Sequence, residues 1–333
     1  MLLLQNFVLH AIICCMEKEV IQMPFDLTAP LVIGISSRAL FDLEEENAVF
    51  EQHGLKAYAD LQRQHEKDVL RPGPAFQLVK AFLNLNTLNP EHRTVEVIIM
   101  SRNSPETSLR IFHSIEYYGL DISRAALLSG ADVAPYLKAF KTDLFLSAYA
   151  PDVKQAVDNG VAAGVILTGK QHANSRSEIE QIRIAFDGDA VLFSAESERV
   201  FKQRGIEAFN EHEQTNVDKP LQKGPFANFL LALSSLQNIY QTQEQSPIRT
   251  ALVTSRSIPA HERAIKTLRE WGVRVDEAFF LGGVQKRDIL ASFGAHIFFD
   301  DQHAHADPAS EVVPSAVVPY REGDDPSEAF QLN

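Results

Sequence analysis

The sequence predicts an α/β fold: parallel sheets flanked by helices, with one strand-helix series present twice. Three observations carry that prediction. Short β-branched or aromatic runs bounded by turn signals alternate with stretches of helical period. The chain aligns with itself at a shift of about 151 to 154 residues. In the second copy, carboxylates stand where apolar runs stop, which is where open α/β sheets bind ligands.

The first apolar run, LVIGI at 31–35, lies over IRIAF at 182–186. Phe50 and Gly54 then fall on Phe201 and Gly205, and Gly73-Pro74 on Gly224-Pro225. The runs at 95–100 and 144–146 lie over 250–254 and 296–299 after one small indel. These are the lengths and compositions of buried parallel strands. Between them, Phe226, Phe229, Leu230 and Leu233 recur at helical spacing and predict one buried helix face. Glu44-Glu45-Glu46 reads as a solvated helix start, with negative charge suited to the helix dipole. The polar stretch 168–181 reads as the join between copies, and 241–246 as an internal loop.

At 333 residues the chain is long enough for about two domains. The expected division is a leader at 1–29, a first copy at 30–167, a second at 182–320 and a tail at 321–333. A net charge of −13 excludes a bulk basic footprint, and with it nucleic acid polymers or an anionic membrane as the main partner. The two cysteines, Cys14 and Cys15, are adjacent and cannot close an ordinary disulfide, which suits a reducing, cytoplasmic setting. The apolar opening lacks a basic n-region, is too short to span a bilayer, and reads as a loosely attached leader upstream of Met23.

Four pieces carry candidate chemistry. An apolar strand runs into Asp187-Gly188-Asp189, whose close carboxylates repel and invite a hard cation such as Mg²⁺; an ordinary Asp-Gly-Asp turn is the alternative. Thr254-Ser255 ends another strand with hydroxyls and backbone donors suited to phosphate oxygens. Lys286, just past Gly282-Gly283, stands at an expected helix start, and Asp300-Asp301 ends a third strand. His303 and His305 form the one tempting histidine pair, but with no cysteine nearby they argue weakly for zinc.

This ordered set resembles the haloacid-dehalogenase-like (HAD) phosphohydrolase superfamily. It is more closely similar to the type I cytosolic 5'-nucleotidases, the AMP-preferring class, through SSRALF, PGPAF at 72–76, YLKAF, FDGDAVLFSAESERV, PIRTALVTSR and HIFFDDQ. The resemblance covers roughly residues 30–320 and implies a HAD-like fold and Mg²⁺-dependent hydrolysis of nucleoside 5'-monophosphates, AMP favoured. By the same resemblance, Asp187 is the nucleophile and Asp189 the acid and base. Mg²⁺ is held by Asp187, the Asp189 carbonyl and Asp300, with Asp301 beside them. Thr254, Ser255 and Lys286 hold the phosphate. Residues of about 194–246 form a helical cap, with polar groups at Asn210-Glu211-His212-Glu213 as candidates for contact with the nucleoside. A HAD phosphatase for another small phosphomonoester and a non-catalytic nucleotide-binding regulator are the alternatives. Homo-oligomerisation is left open.

In the first copy, Ser36, Arg38, Met100, Val133, Ser147 and Ala148 stand opposite Asp187, Asp189, Thr254, Lys286, Asp300 and Asp301. Residues 30–167 are therefore expected to be a degenerate copy. Ser36, Ser37 and Arg38 are either an anion site for an effector nucleotide or ordinary loop residues of a packing partner.

Overall fold

The computed structural model describes residues 25–168, 179–240 and 246–321. Most of the expected leader, the centre of the expected join, the loop at 241–245 and the tail beyond Arg321 lie outside them.

Ten strands form one sheet. They are β1 (Leu31–Ile35), β2 (Val95–Ser101), β3 (Arg124–Leu127), β4 (Leu144–Ser147), β5 (Ala162–Ile166), β6 (Ile182–Phe186), β7 (Ile248–Thr254), β8 (Glu277–Phe280), β9 (Ile297–Asp300) and β10 (Ser315–Val317). The spatial order is β3-β2-β1-β4-β5-β10-β9-β6-β7-β8. Strands β1 to β5 are mutually parallel, as are β6 to β10. The halves meet at an antiparallel seam, where Ile166 pairs with Ala316 and Val165 with Val317. Read outward from the seam, each half has the same order of strands. Because the seam is antiparallel, the carboxyl ends of the two strand sets lie on opposite rims of the sheet.

The helices are α1 (Ser37–Leu40), α2 (Glu44–Gln64), α3 (Phe76–Leu88), α4 (Leu109–Tyr117), α5 (Ala134–Ala139), α6 (Ala150–Asp158), α7 (Glu196–Thr215), α8 (Ala227–Ile239), α9 (His261–Glu270), α10 (Lys286–Phe293) and α11 (His303–Ala309). Two are broken at matching glycines. Gly54 in α2 has φ 78° and ψ −177°, and Gly205 in α7 has φ 80° and ψ −175°, a conformation that L side chains resist. Each break folds the helix back on itself. In α7, Ser197 reaches Glu213, His212 reaches Glu196, and Phe201 meets Phe209 edge-on.

The Gly-Pro pairs mark close backbone crossings. A Cβ on Gly73 would lie 2.7 Å from the Phe41 carbonyl carbon, and one on Gly224 would lie 2.3 Å from the Phe193 oxygen. Both crossings carry isolated antiparallel bridges, Phe41 with Pro72 and Phe193 with Lys223.

On one face of the sheet the two halves share a single apolar core. Helix α3 packs against β6 and α8 against β1, and the Tyr240 hydroxyl donates to Leu85 O at 3.0 Å. On the other face each half has its own cluster. The expected domains at 30–167 and 182–320 thus close a common core on one side rather than two separate ones.

Two expectations are corrected. Helix α8 lies within the segment expected to form a cap, yet Phe226, Phe229, Leu230 and Leu233 are fully buried in the shared core; only the folded-back α7 is left for that role. The acidic start of α2 is not simply solvated, because Glu46 is buried and pairs with Arg110 at 2.6 Å.

Candidate metal and phosphate site

The site is built at the carboxyl ends of β6, β7 and β9. Beneath it lies an aromatic floor: Phe186 stacks on Phe299 with centroids 5.6 Å apart, and Phe226 lies 4.5 Å from Phe299. Each strand phenylalanine immediately precedes a site carboxylate, Asp187 or Asp300, so the packed rings fix where the acids emerge. Asp187 N donates to Phe299 O at 2.8 Å, which ties the first loop residue to the neighbouring strand.

Lys286 opens α10 and is 3% exposed. Its Nζ lies 2.8 Å from Asp187 Oδ1 and donates to Asp300 Oδ2 at 2.6 Å. The other oxygen of Asp300 accepts from Gln302 N at 2.9 Å, and His305 Nδ1 lies 3.4 Å from Asp300 Oδ2. Asp301 Oδ2 accepts from the Tyr320 hydroxyl, whereas its Oδ1 is buried without a partner. Glu198 stands next to this pair, accepting from Gln302 Nε2 at 3.0 Å and lying 3.3 Å from the Tyr320 hydroxyl. One oxygen from each of Asp187, Asp300 and Asp301 lies within 4.8 Å of the others.

These surroundings divide the acids. Burial pushes the Asp187 carboxyl up, against the opposing pull of Lys286. Burial also raises Asp301, reinforced by the charges of Glu198, Asp187 and Asp300. Asp300 is held below the ordinary range because Lys286 and His305 outweigh its burial. Lys286 is buried too, but Asp187 and Asp300 keep it firmly protonated.

A divalent cation fits this set. Three buried carboxylates converge on one another, two of them on the Lys286 ammonium group, and the orphaned Asp301 oxygen has no proton donor to satisfy it. All the converging oxygens are hard ligands of the kind Mg²⁺ takes.

Asp189 is placed differently. Its carboxylate does not join the other three but sits in the fork of Arg256, with Nε to Oδ2 at 2.8 Å and Nη2 to Oδ1 at 2.6 Å. Of the expected metal set, only the backbone carbonyl of Asp189 is left for that role, since a bidentate guanidinium already engages both carboxylate oxygens. Thr254 is buried, and a Cβ on Gly188 would lie 3.2 Å from its Oγ1, so the hydroxyl borders the Asp187–Asp189 loop. Ser255 is exposed.

Several residues here were not anticipated. Arg256 follows Thr254-Ser255 directly, so a cation next to the phosphate-type motif was readable. Glu198 lies within FDGDAVLFSAESERV but was not singled out there, and Tyr320 stands nineteen residues past Asp301 with no local signal. Glu213, expected as an exposed nucleoside contact, is instead buried and bound by Arg256 and Arg263. The histidine pair is divided: His303 lies 3.2 Å from Asp307, while His305 faces Asp300.

In the first half, Ser36 Oγ accepts from Ala39 N and caps α1. Ser37 Oγ lies 3.3 Å from Ser101 Oγ. Arg38 donates to Asn47 at 3.0 Å and to Glu44 at 2.9 Å. Each of the three thus has an intramolecular partner, and the charge an anion needs is offset by Glu44.

Fold and site together define an α/β protein with a cation-suited acidic cluster and a buried lysine at its strand ends. The chain belongs to the 5'-nucleotidase family, whose sequence model matches residues 23–325. Human cytosolic 5'-nucleotidase 1B is 38% identical over 291 residues, covering 85% of this chain. The chain spans about half of that relative, 47% of its length. No solved structure matches the chain. Among the described residues, no helix is long and apolar enough to cross a membrane.

Proposed function

We propose that this protein is a Mg²⁺-dependent, cytoplasmic 5'-nucleotidase of HAD-like fold that converts nucleoside 5'-monophosphates, AMP foremost, to nucleoside and phosphate. The observation that carries the reading is the convergence of Asp187, Asp300 and Asp301 at the strand ends, with Lys286 bound to the first two. Family membership and the human relative's name support the substrate class and the compartment.

On this reading an Asp187 oxygen attacks phosphorus in line, the bond from phosphorus to the 5'-oxygen breaks, and the leaving oxygen takes a proton from Asp189. A water then attacks the aspartyl-phosphate, giving its proton to Asp189, and the bond from phosphorus to Asp187 breaks to release inorganic phosphate. Lys286 and Thr254, with Ser255, hold the equatorial oxygens. Mg²⁺ would be held by Asp187, Asp300 and the Asp189 carbonyl, with Asp301 beside them, and would offset negative charge at the phosphoryl group. Electrostatic positioning of this kind is the main resource for so slow an uncatalysed reaction.

The two halves read as one unit duplicated, with residues 30–167 the degenerate copy and 182–320 the catalytic one. The shared strand order, the matching kinks at Gly54 and Gly205, and the paired backbone crossings support this. Ser36, Ser37 and Arg38 then serve packing, which their internal partners favour over binding an effector.

The test is phosphate release from a panel of ribo- and deoxyribonucleoside 5'-monophosphates and sugar phosphates, with Mg²⁺ and with EDTA. Metal-dependent release confined to nucleotides is expected. Preference for a sugar phosphate would make the protein a phosphatase of other specificity, and no release would make it a nucleotide-binding regulator.

A further inference from the structure

Arg256 holds two carboxylates that belong to different elements. Its Nε and Nη2 grip Asp189 on the loop after β6, while Nη1 donates to Glu213 on the return arm of α7 and to Ala260 O at 3.2 Å. The second oxygen of Glu213 accepts from Arg263 Nη1 at 2.9 Å and from Ser197 Oγ at 2.8 Å. Glu196 lies at its edge, 3.7 Å from Arg263 Nη2.

The fold does not require the pair of Arg256 and Glu213. In the first half, Gln62 stands eight residues past the Gly54 kink, as Glu213 does past Gly205, and Asn103 stands two past the end of β2, as Arg256 does past β7, the strand registers placing Ser101 rather than the expected Met100 opposite Thr254. The first half thus has neutral amides in the places of Glu213 and Arg256, while Arg110, in the place of Arg263, pairs with the buried Glu46. Buried ion pairs are rarely kept for stability alone, since apolar replacements often serve as well. The charged version occurs in the half that carries the acidic cluster, and it ends on a residue of that site. Asp189 is also its most open member: the side chains of Glu213, Arg256 and Arg263 are 0%, 1% and 4% exposed, and that of Asp189 is 16% exposed. It is followed by Ala190 at φ 61°, an uncommon conformation for a residue other than glycine.

We infer that Arg256 is a positioning residue that couples the direction of the Asp189 carboxylate to the return arm of α7 through Glu213. The inference rests on the proposed phosphohydrolase reading only for its catalytic consequence. With the arm seated, the fork turns Asp189 away from Asp187, Asp300 and Asp301. A shift of the arm that draws Arg256 with Glu213 loosens the fork and frees Asp189 to turn toward the phosphoryl group. Closing of α7 over a substrate and the readiness of Asp189 become one event.

The test pairs an exchange measurement with kinetics. Amide hydrogen exchange over residues 206–215 is compared in the wild-type chain, Asp189→Asn and Asp187→Asn. Exchange there should quicken about tenfold in Asp189→Asn, which weakens the fork, and stay unchanged in Asp187→Asn, which does not touch it. With AMP as substrate, Glu213→Gln should lower kcat about tenfold while KM stays within about twofold. In an Arg256→Ala background the further change Glu213→Gln should leave kcat unmoved, since without the guanidinium the arm no longer reaches Asp189. Unchanged exchange in Asp189→Asn, or an unchanged kcat in a folded Glu213→Gln, overturns the coupling. If the wild-type chain releases no phosphate, the functional reading falls and the exchange comparison alone decides the coupling.

Discussion

Tyr320 donates its hydroxyl hydrogen to Asp301 Oδ2 from just beyond β10, across a gap of nineteen residues in sequence. Among the described residues it is the one hydrogen bond to that carboxylate, whose other oxygen is buried without a partner. The phenol thereby sets the direction of an acid that burial and three negative neighbours push up. In Tyr320→Phe this orientation is lost, and Mg²⁺ affinity should fall about tenfold, the usual effect of removing a group that orients a metal ligand. Calorimetric Mg²⁺ titration of the two proteins measures it; equal affinities would exclude this role for Tyr320.

Asp187→Asn should abolish turnover by about 10³-fold or more while the protein stays folded. Lys286 keeps Asp300 as a partner in this variant, so no buried charge is left alone. Phosphate release and a thermal melt on the same sample decide the matter. Substantial residual activity with a normal melt would remove Asp187 as nucleophile.

Gly224→Ala should destabilise the chain by about 3 kcal/mol, the scale of forced backbone displacement in a packed region. The added carbon would sit 2.3 Å from Phe193 O, and backbone cannot yield as a flexible side chain does. Urea denaturation gives the difference directly. Gly205→Ala, at an open position, should cost less despite its φ of 80°.

His296 should make stability fall in mild acid. Its Nδ1 accepts from Arg183 N at 2.9 Å, and burial together with the Arg183 charge holds the ring down at about 4. The unfolded chain binds a proton near the ordinary value of about 6.5. Between those values the unfolded state carries more protons, so this stabilisation is full above about 6.5 and is lost as pH falls toward 4. Denaturation midpoints at pH 7.5 and pH 5 should differ more for the wild type than for His296→Asn. Equal pH responses would show that the ring is not held neutral.

The strand runs that carry the site were legible because they are buried on both faces. LVIGI is a continuous apolar segment and IRIAF is interrupted only by Arg183, and their ends at Ser36 and Asp187 were readable as ends. The edge strands were not so clear: Arg124–Leu127 and Glu277–Phe280 mix charged and apolar residues and are only partly buried, so hydrophobicity gives no contrast. The antiparallel seam was equally hidden, since no local pattern distinguishes Val165 and Val317 from other β-branched residues. Within the site, Asp187, Lys286, Asp300 and Asp301 emerged from strand-end motifs. The pairing of Asp189 with Arg256 did not, because it depends on the folded-back α7 delivering Glu213 from a helix that reads as solvated. A broken helix at Gly205 brings residues sixteen apart into contact, which a periodicity argument for a straight helix places on different levels.

The antiparallel seam between β5 and β10 also sets what the two halves can communicate. Their strand mouths open in opposite directions, separated by the length of a five-residue strand, roughly 17 Å. That span is about twice the screening distance in physiological salt, so a charge arriving at one rim is hardly felt at the other through solvent. Any message between Ser36 and Asp187 must be mechanical, carried by strands sliding along the seam or helices shifting over the common core. The molecule is in this sense two back-to-back doorways sharing one wall, and only one of them leads to the acidic chamber.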